Sequence, residues 1–496
     1  MANIDHQWRQ EWRQEWRQGE LVDISIANLS NSGDGVGRWG DRVVFVPDAV
    51  PGDRLLARLV RVKPTYAHGK IHELLTPSPH RIRPNCIVAD KCGGCQWQFV
   101  SYEQQLIEKR NQVIQALERI GGLENPPVDP VLPSEPLGYR NKATYPLQRV
   151  SAKPTNGRGN TSHKSLQTPS SSFVQAGYYQ KGSHKLINLN QCPVQDQRLN
   201  PLLAGVKHDI QQRGWSIYDE NRHQGQLRHL GLRIGQRTGE ILLTLVSRDA
   251  DLAGLEDQAK RWLDRYPGLV GVSLNLNPKR TNAIFGEDTR CIAGHPYLRE
   301  IFAGLEFQIR PTTFFQINTA QADTLLAIIL DELDLQGTEL VLDAYCGVGT
   351  LTLPLATQAR WAVGLEIQPE AIEQAIVNAN LNGITNVTFQ AGSVETLMPR
   401  LSDGVPNELK HPDLVVLDPP RKGCDRTVLD TLLTLQPDRI VYVSCNPATL
   451  ARDLKILCDD GRYHLTRVQP ADFFPQTAHV ECAAFLKSTT VLDNEP

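Results

Sequence analysis

The chain reads as a multidomain protein in three parts: a small β-barrel near the N-terminus, a mainly β central domain, and a C-terminal doubly wound α/β domain. Three observations lead there. Short strand-like runs broken by Gly-rich turns occupy residues 20–78. Strand-like runs separated by loops dominate residues 79–310. From about residue 311 helical stretches alternate with strands of nearly continuous apolar character, as a parallel sheet covered on both faces requires.

Residues 1–19 carry "WRQEWRQEWRQ", a repeat of period four that sets Trp8, Trp12 and Trp16 on one helical face. They are read as a terminal extension. The barrel follows in "ELVDISIANLS", "VVFVPDAVPGDRLLARLVRV" and "YAHGKIHELL", separated by "NSGDGVGRWGDR" and "KPT". The net charge of −3 argues against a bulk polyanion binder, but the local distribution does not. Between Arg54 and Arg83 seven Lys/Arg face one acid, Glu73; between Gly138 and Lys185 eight Lys/Arg face none. One-sign stretches of this kind are the electrostatic footprint of nucleic-acid binding. The second includes residues 150–172, a Ser/Thr/Gly/Pro-rich segment expected to be a disordered insert.

The central domain opens on "CIVADKCGGC". A helix capped by Ser101 is expected to run to Arg119 and stop at Gly121-Gly122. Beyond it "RHLGLRIG", "EILLTLVSR", "LVGVSLNLNP" and "LEFQIRP" read as strands, with one helix near Asp251 to Tyr266. The ten cysteines, with no run of about 18 apolar residues and no apolar leader, fit a cytoplasmic protein. In a reducing compartment clustered cysteines bind metal or do chemistry more often than they form disulfides. Cys86, Cys92 and Cys95, with Cys192 in "NQCPVQ", suit a four-thiolate cage for zinc or an iron–sulfur cluster.

Three strand ends of the C-terminal part, residues 311–496, carry candidate chemistry. "LDAYCGVGT" is a strand followed by a turn in which Gly347 and Gly349 let the backbone approach a ligand. Glu366 ends the next strand, about twenty residues on, where a carboxylate can bind ribose hydroxyls. The third glycine of the dinucleotide fingerprint is absent, which favours S-adenosylmethionine over NAD. "LDPPRKG" ends a strand on Asp418. "RIVYVSCNPATLARDL" ends one on Cys445, a thiol placed where open α/β sheets bind ligands and do chemistry.

"GDGVGR…VFVPDAVPGD" followed by basic strands resembles the TRAM domain, an OB-like RNA-binding barrel. "FFQIN", "LDAYCGVGTLTLPLA", "VVLDPPRKG", "VSCNPATLARDL" and "HVECAAF", in that order, resemble the RNA uracil-C5 methyltransferase family. The resemblance implies that Cys445 is a nucleophile adding to C6 of uracil, which makes C5 able to attack the methyl sulfonium. It implies that Glu481 is the base that removes the C5 proton and that Asp418 positions uracil or cofactor. It assigns Gln316, Tyr345, Gly347, Gly349, Thr350, Glu366, Ser393 and Asp418 to the S-adenosylmethionine pocket. Thr350 and Ser393 depart from the family's usual Asn and from its usual Asp or Asn. The resemblance also decides the cage for a [4Fe–4S] cluster and points to the branch acting on 23S rRNA. The expected partner is RNA, with no membrane, and the expected state a monomer. The tRNA branch is the alternative substrate class, and a non-catalytic RNA-binding or redox-sensing protein the alternative of another class. Cys291, Cys346, Cys424, Cys458 and Cys482 are expected to be small core residues.

Overall fold

A computed structural model describes residues 16–151, 172–401 and 411–492. Most of the Trp repeat and all but the rims of the expected insert lie outside those residues. The chain separates into two compact units. The first takes the residues up to Asp90 with Gly94–Gln112 and Gln476–His479; the second takes Lys91–Gly93, Val113–Pro475 and the chain from Val480 on. Among the described residues no helix is long and apolar enough to cross a membrane.

The first unit is built on a closed barrel of five strands: β1 (Leu21–Leu29), β2 (Gly35–Trp39), β3 (Arg42–Val46), β4 (Arg54–Val62) and β5 (Tyr66–Thr76), in the order β1-β2-β3-β5-β4. Alternation along β1 turns Val22, Ile24 and Ile26 inward, against Val44, Val46, Leu55, Ala57, Leu59 and Ala67. Trp16 joins this core, 7% exposed, with its ring stacked 6.2 Å from Trp39 and its indole N–H on the Lys63 carbonyl. The last tryptophan of the repeat is thus part of the barrel. Asp53, fully buried, ties the barrel to the chain beyond it. Its carboxylate accepts the Val50 and Ser78 backbone N–H groups and pairs with Arg81 at 2.5 Å.

Among the described residues the second unit holds three sheets. The central one contains β6 (Lys142–Ser151), β7 (Ser172–Tyr179), β8 (Leu186–Asn188), β9 (Leu227–Ile234), β10 (Ile241–Ser247), β11 (Leu269–Leu276) and β12 (Asp288–Gly294), in the order β12-β11-β10-β9-β6-β7-β8. Only β10 and β11 run parallel, joined by the helix Leu255–Arg265, the expected helix of this region. A second helix, Asn200–Arg213, is one the sequence reading lacks. A hairpin of β13 (Leu298–Phe302) and β14 (Leu305–Ile309) follows.

The last sheet contains β15 (Leu340–Ala344), β16 (Trp361–Glu366), β17 (Val387–Ala391), β18 (Leu414–Leu417), β19 (Arg439–Ser444), β20 (Tyr463–Ala471) and β21 (Glu481–Ser488). Their order is β17-β16-β15-β18-β19-β21-β20, the first five parallel and the last two antiparallel to their neighbours. The sheet is apolar on both faces because successive residues alternate between two cores. Leu342, Ala344, Val415, Leu417, Ile440 and Tyr442 pack on one side; Val341, Leu414, Val416, Val441 and Val443 pack on the other. The chain leaves β15 for β16 on one flank and later returns to β18 on the other. Their carboxyl ends therefore flank a topological switch point, where sheets of this kind bind ligands.

Candidate active site

At the switch point the turn after β15 is strained. Tyr345, a non-glycine residue, has φ of 78°, in the left-handed region that side chains avoid. Two backbone bonds hold it there: Tyr345 and Cys346 both donate N–H to the Leu365 carbonyl at 2.9 Å. Gly364 on β16 admits this close approach, because a Cβ there would stand 2.7 Å from the Cys346 sulfur. Glu366, at the end of β16, accepts the Gly347 N–H at 3.2 Å and the Gln368 N–H at 2.9 Å, so its carboxylate is fixed at the turn. Gln316, Thr350 and Asp418 meet around one small cavity with Val443 and Phe473. Asn141 donates to the Gln316 carbonyl at 2.8 Å and fixes that loop. Ser393 follows β17, and its hydroxyl pairs with Thr396 at 2.8 Å in the first turn of the next helix.

The structure brings the three expected chemical groups together through strand register. Ser444 pairs with Cys482 across β19 and β21, so one more step of the same register sets Cys445 opposite Glu481. Asp418 follows Leu417, which pairs with Tyr442 on β19. Cys445, Glu481 and Asp418 are each half-buried. Burial, then the Glu481 and Asp418 carboxylates, push the Cys445 thiol up to about 11, while Arg421 opposes them with its charge and a hydrogen bond. Burial and Asp418 push the Glu481 carboxyl up to about 8, again against Arg421. Burial and Asp343 push Asp418 up to about 7.

Arg421, which the sequence reading did not assign, is the cation of this cluster. It stands in the loop "PPRKG", and a network holds that loop to the helix Pro447–Cys458. Asn446 caps the helix, accepting the Ala448 N–H at 3.1 Å, and its amide donates to the Arg421 carbonyl at 3.1 Å. Asp453, fully buried, accepts the Tyr442 hydroxyl at 2.6 Å and the Cys424 N–H at 2.9 Å. Gly423 is required where it sits: its φ is 77°, and a Cβ would meet Arg452 and Asp453 at 2.6 Å. The dipeptide Asn446-Pro447, a cap followed by a first-turn proline, was the available signal for this anchoring.

Cys346, Cys424 and Cys482 are buried and Cys458 is half-buried, in line with a packing role. Cys291 is not a core residue: it lies exposed on the edge strand β12. The four cysteines of the expected cage are half-buried. Cys86 and Cys95 belong to the first unit, Cys92 and Cys192 to the second. Among the described residues no group of three or more His, Cys, Asp or Glu is gathered as around a metal ion. On the barrel, Arg54 is paired with Asp23 at 2.7 Å and Arg58 donates to the Gly19 carbonyl, whereas Arg61 and Lys63 are exposed. The half-buried rings of Phe45, Tyr66 and His68 lie 5.5–6.0 Å from one another.

A doubly wound sheet with a strained glycine turn, strand-end carboxylates and a strand-end thiol, in a chain that also carries an OB-like barrel, defines a methyltransferase class directed at RNA. Within that class the chain belongs to the RNA uracil-C5 methyltransferase family. Residues 298–489 match the family described as tRNA (Uracil-5-)-methyltransferase, and residues 15–72 match the TRAM domain. The chain is 67% identical over 470 residues to an uncharacterized RNA methyltransferase of Nostoc sp. PCC 7120, covering 95% of this chain and 96% of that one. It is 39% identical over 472 residues to an uncharacterized RNA methyltransferase of Bacillus cereus, covering 95% and 97%. Among solved structures it resembles the Pyrococcus abyssi tRNA (uracil-54, C5)-methyltransferase in complex with S-adenosyl-L-homocysteine. The identity is 27% and the TM-score 0.71, covering 94% of this chain and 99% of that one.

Proposed function

We propose that this chain methylates C5 of a uridine in 23S rRNA through a covalent adduct between Cys445 and C6. The observation that carries the chemistry is the β19–β21 register, which sets a thiol and a carboxylate side by side where β19 ends and β21 begins, in the sheet whose strand β18 leads to Asp418. Bound S-adenosylmethionine supplies the methyl group. Gln316, Tyr345, Gly347, Gly349, Thr350, Glu366, Ser393 and Asp418 hold it; the open glycine turn and the fixed Glu366 carboxylate support that role.

The Cys445 thiol gives its proton to solvent and its sulfur bonds to C6, leaving negative charge on C5 and O4. C5 takes the methyl group as the sulfonium S–CH3 bond breaks and S-adenosylhomocysteine is left. Glu481 then removes the C5 proton, the sulfur–C6 bond breaks, and the thiolate returns. A carboxyl held near 8 is matched to such a transfer at physiological pH. Asp418 orients uracil against the cofactor. In vitro, Glu481→Gln should accumulate a methylated RNA–protein adduct on a denaturing gel, while Cys445→Ala should form none. Normal turnover by Glu481→Gln would refute the mechanism.

The basic barrel and the four-cysteine set support the 23S rRNA assignment. A second reading, tRNA, is supported by the likeness to the Pyrococcus abyssi enzyme over nearly the whole chain. Mapping 5-methyluridine in both RNAs from cells lacking the gene separates them, since loss from tRNA alone overturns the first.

Cys86, Cys92, Cys95 and Cys192 are proposed to hold a [4Fe–4S] cluster. The bridge that pins Cys92 to Gln180, just beyond β7, supports this. The cluster acts as a structural cross-link and takes no part in methyl transfer. Anaerobic purification should give brown protein with about four irons per chain, reduced in Cys92→Ser; stoichiometric zinc without iron would exclude it.

A further inference from the structure

Strand β6 links the active site to a second cavity. Asn141, just ahead of the strand, fixes the Gln316 loop, and Lys142 pairs there with Arg233 of β9. Further along the same two strands Pro146 pairs with His229, and a cavity of about 580 Å³ opens. That volume lies in the range of sites for small organic groups, about 300–1,000 Å³. At about 3.3 Å per residue, Gln148 in its wall stands roughly 23 Å along the strand from Asn141.

The lining suits a flat polar ring. The rings of Tyr179 and His184, both exposed, lie 5.4 Å apart at the rim. Tyr218 is buried in the wall with the Arg228 guanidinium 4.6 Å over its ring. The Nδ1 atom of His229 is buried and has no hydrogen-bond partner among the described residues. Burial, then Arg228, hold that imidazole down to about 4, so at neutral pH it is uncharged and carries one N–H and one lone pair. Asp219 and Glu220 add acceptors to the same wall, and Arg149, Arg222 and Arg228 add positive charge that suits the backbone phosphates of a nucleic acid. Nothing in methyl transfer uses these groups.

We infer that this cavity binds an unpaired nucleobase of the substrate RNA, stacked on Tyr179 and His184. The carboxylates favour bases with an exocyclic amino group, adenine, cytosine or guanine, over uracil. RNA is then gripped at two points, the flipped uridine and a second base a strand's length away, so the enzyme selects RNAs that present both. This rests on RNA methylation as the reaction.

The test uses the full chain, without S-adenosylmethionine, irradiated at 254 nm with in vitro transcripts of tRNA and of 23S rRNA domains. Peptide mapping should find Tyr179 or Tyr218 joined to a nucleotide other than the target uridine. The Tyr179→Ala/His184→Ala double variant alters only exposed rings. Its KM for the methylated transcript should rise about tenfold, the loss of one stacked base, with kcat at saturating RNA unchanged. Cross-links confined to the barrel and the last sheet, with unchanged KM, overturn the inference. So does capture of AMP, CMP or GMP at Tyr179 as efficient as that of RNA, which would make this a free-nucleotide site. If Tyr179 cross-links to a transcript and neither RNA is methylated, the methylation reading fails and the pocket stands.

Discussion

Arg421 should set the pH at which Cys445 becomes a nucleophile. It is the cation that holds both the thiol and the Glu481 carboxyl down, against burial and the carboxylates that push them up. Arg421→Met removes the charge and keeps the length. The loop should keep its place, because the Arg421 carbonyl, not its guanidinium, accepts the Asn446 amide and the Thr449 hydroxyl. A unit charge about 4 Å away interacts by about 4 kcal/mol at an effective dielectric constant near 20, equivalent to roughly three pKa units. Arg421 is exposed and the thiol half-buried, so solvent screening reduces this to about one unit. With the thiol near 11, about one site in a thousand carries thiolate at pH 8.

Arg421→Met lowers that fraction about tenfold. It also moves the point at which Glu481 becomes charged from about 8 toward 9. Wild-type single-turnover methyl transfer, which needs the thiolate but not the Glu481 base, should climb about tenfold per pH unit up to about 11. The variant's profile should be displaced by about one unit to alkaline pH. Alkylation of Cys445 by iodoacetamide, followed on its own peptide without RNA, should show the same displacement independently of substrate binding. Coincident alkylation profiles, or a shift to acid pH, would refute this role for Arg421.

Three further outcomes are expected. Burial pushes the Asp343 carboxyl up to about 7, so the folded state holds a proton the unfolded chain releases, and stability falls as pH rises from about 4 through 7. The Tm of Asp343→Asn minus that of wild type should therefore grow from pH 5 to pH 8 in calorimetry. Neutralising Arg61 and Lys63 should flatten the slope of log binding constant against log salt by about 1.4 for single-stranded RNA, while Arg54→Ala, which breaks a pair with Asp23, should change it less. Tyr442→Phe leaves the buried Asp453 carboxylate short of one donor and should cost about 1–3 kcal/mol in urea unfolding.

How legible the fold was depended on the range of the interactions that made each element. β15, β16, β18 and β19 announce themselves because burial on both faces makes most of their residues apolar, and the residues at or just past their carboxyl ends carry the chemistry. The helix Asn200–Arg213 was hidden by Gly205 in its middle, which weakens the helical reading. The structure gives its reason: a Cβ there would meet the Tyr266 hydroxyl at 1.9 Å. β6 was hidden by Pro146, a residue that ordinarily demotes a strand. Trp16 belongs to a repeat that suggests a helix, but its partner Trp39 lies 23 positions away, beyond any local pattern.

The candidate site divides along the same line. Cys445, Asp418 and Glu366 were visible because each closes a readable strand. Glu481 was reached only by resemblance, since it opens an antiparallel strand whose register against β19 is set 37 residues downstream of Ser444. Arg421 was missed because an exposed arginine in a loop has no signal of its own. Its meaning comes from Asn446, Thr449 and Asp453, which fix the loop from a different element. The readable residues are therefore those that would perform the chemistry, and the unreadable ones tune it. Substitutions in the second group should move pH profiles and stability, while substitutions in the first should abolish turnover. That difference can be measured without knowing which RNA is modified.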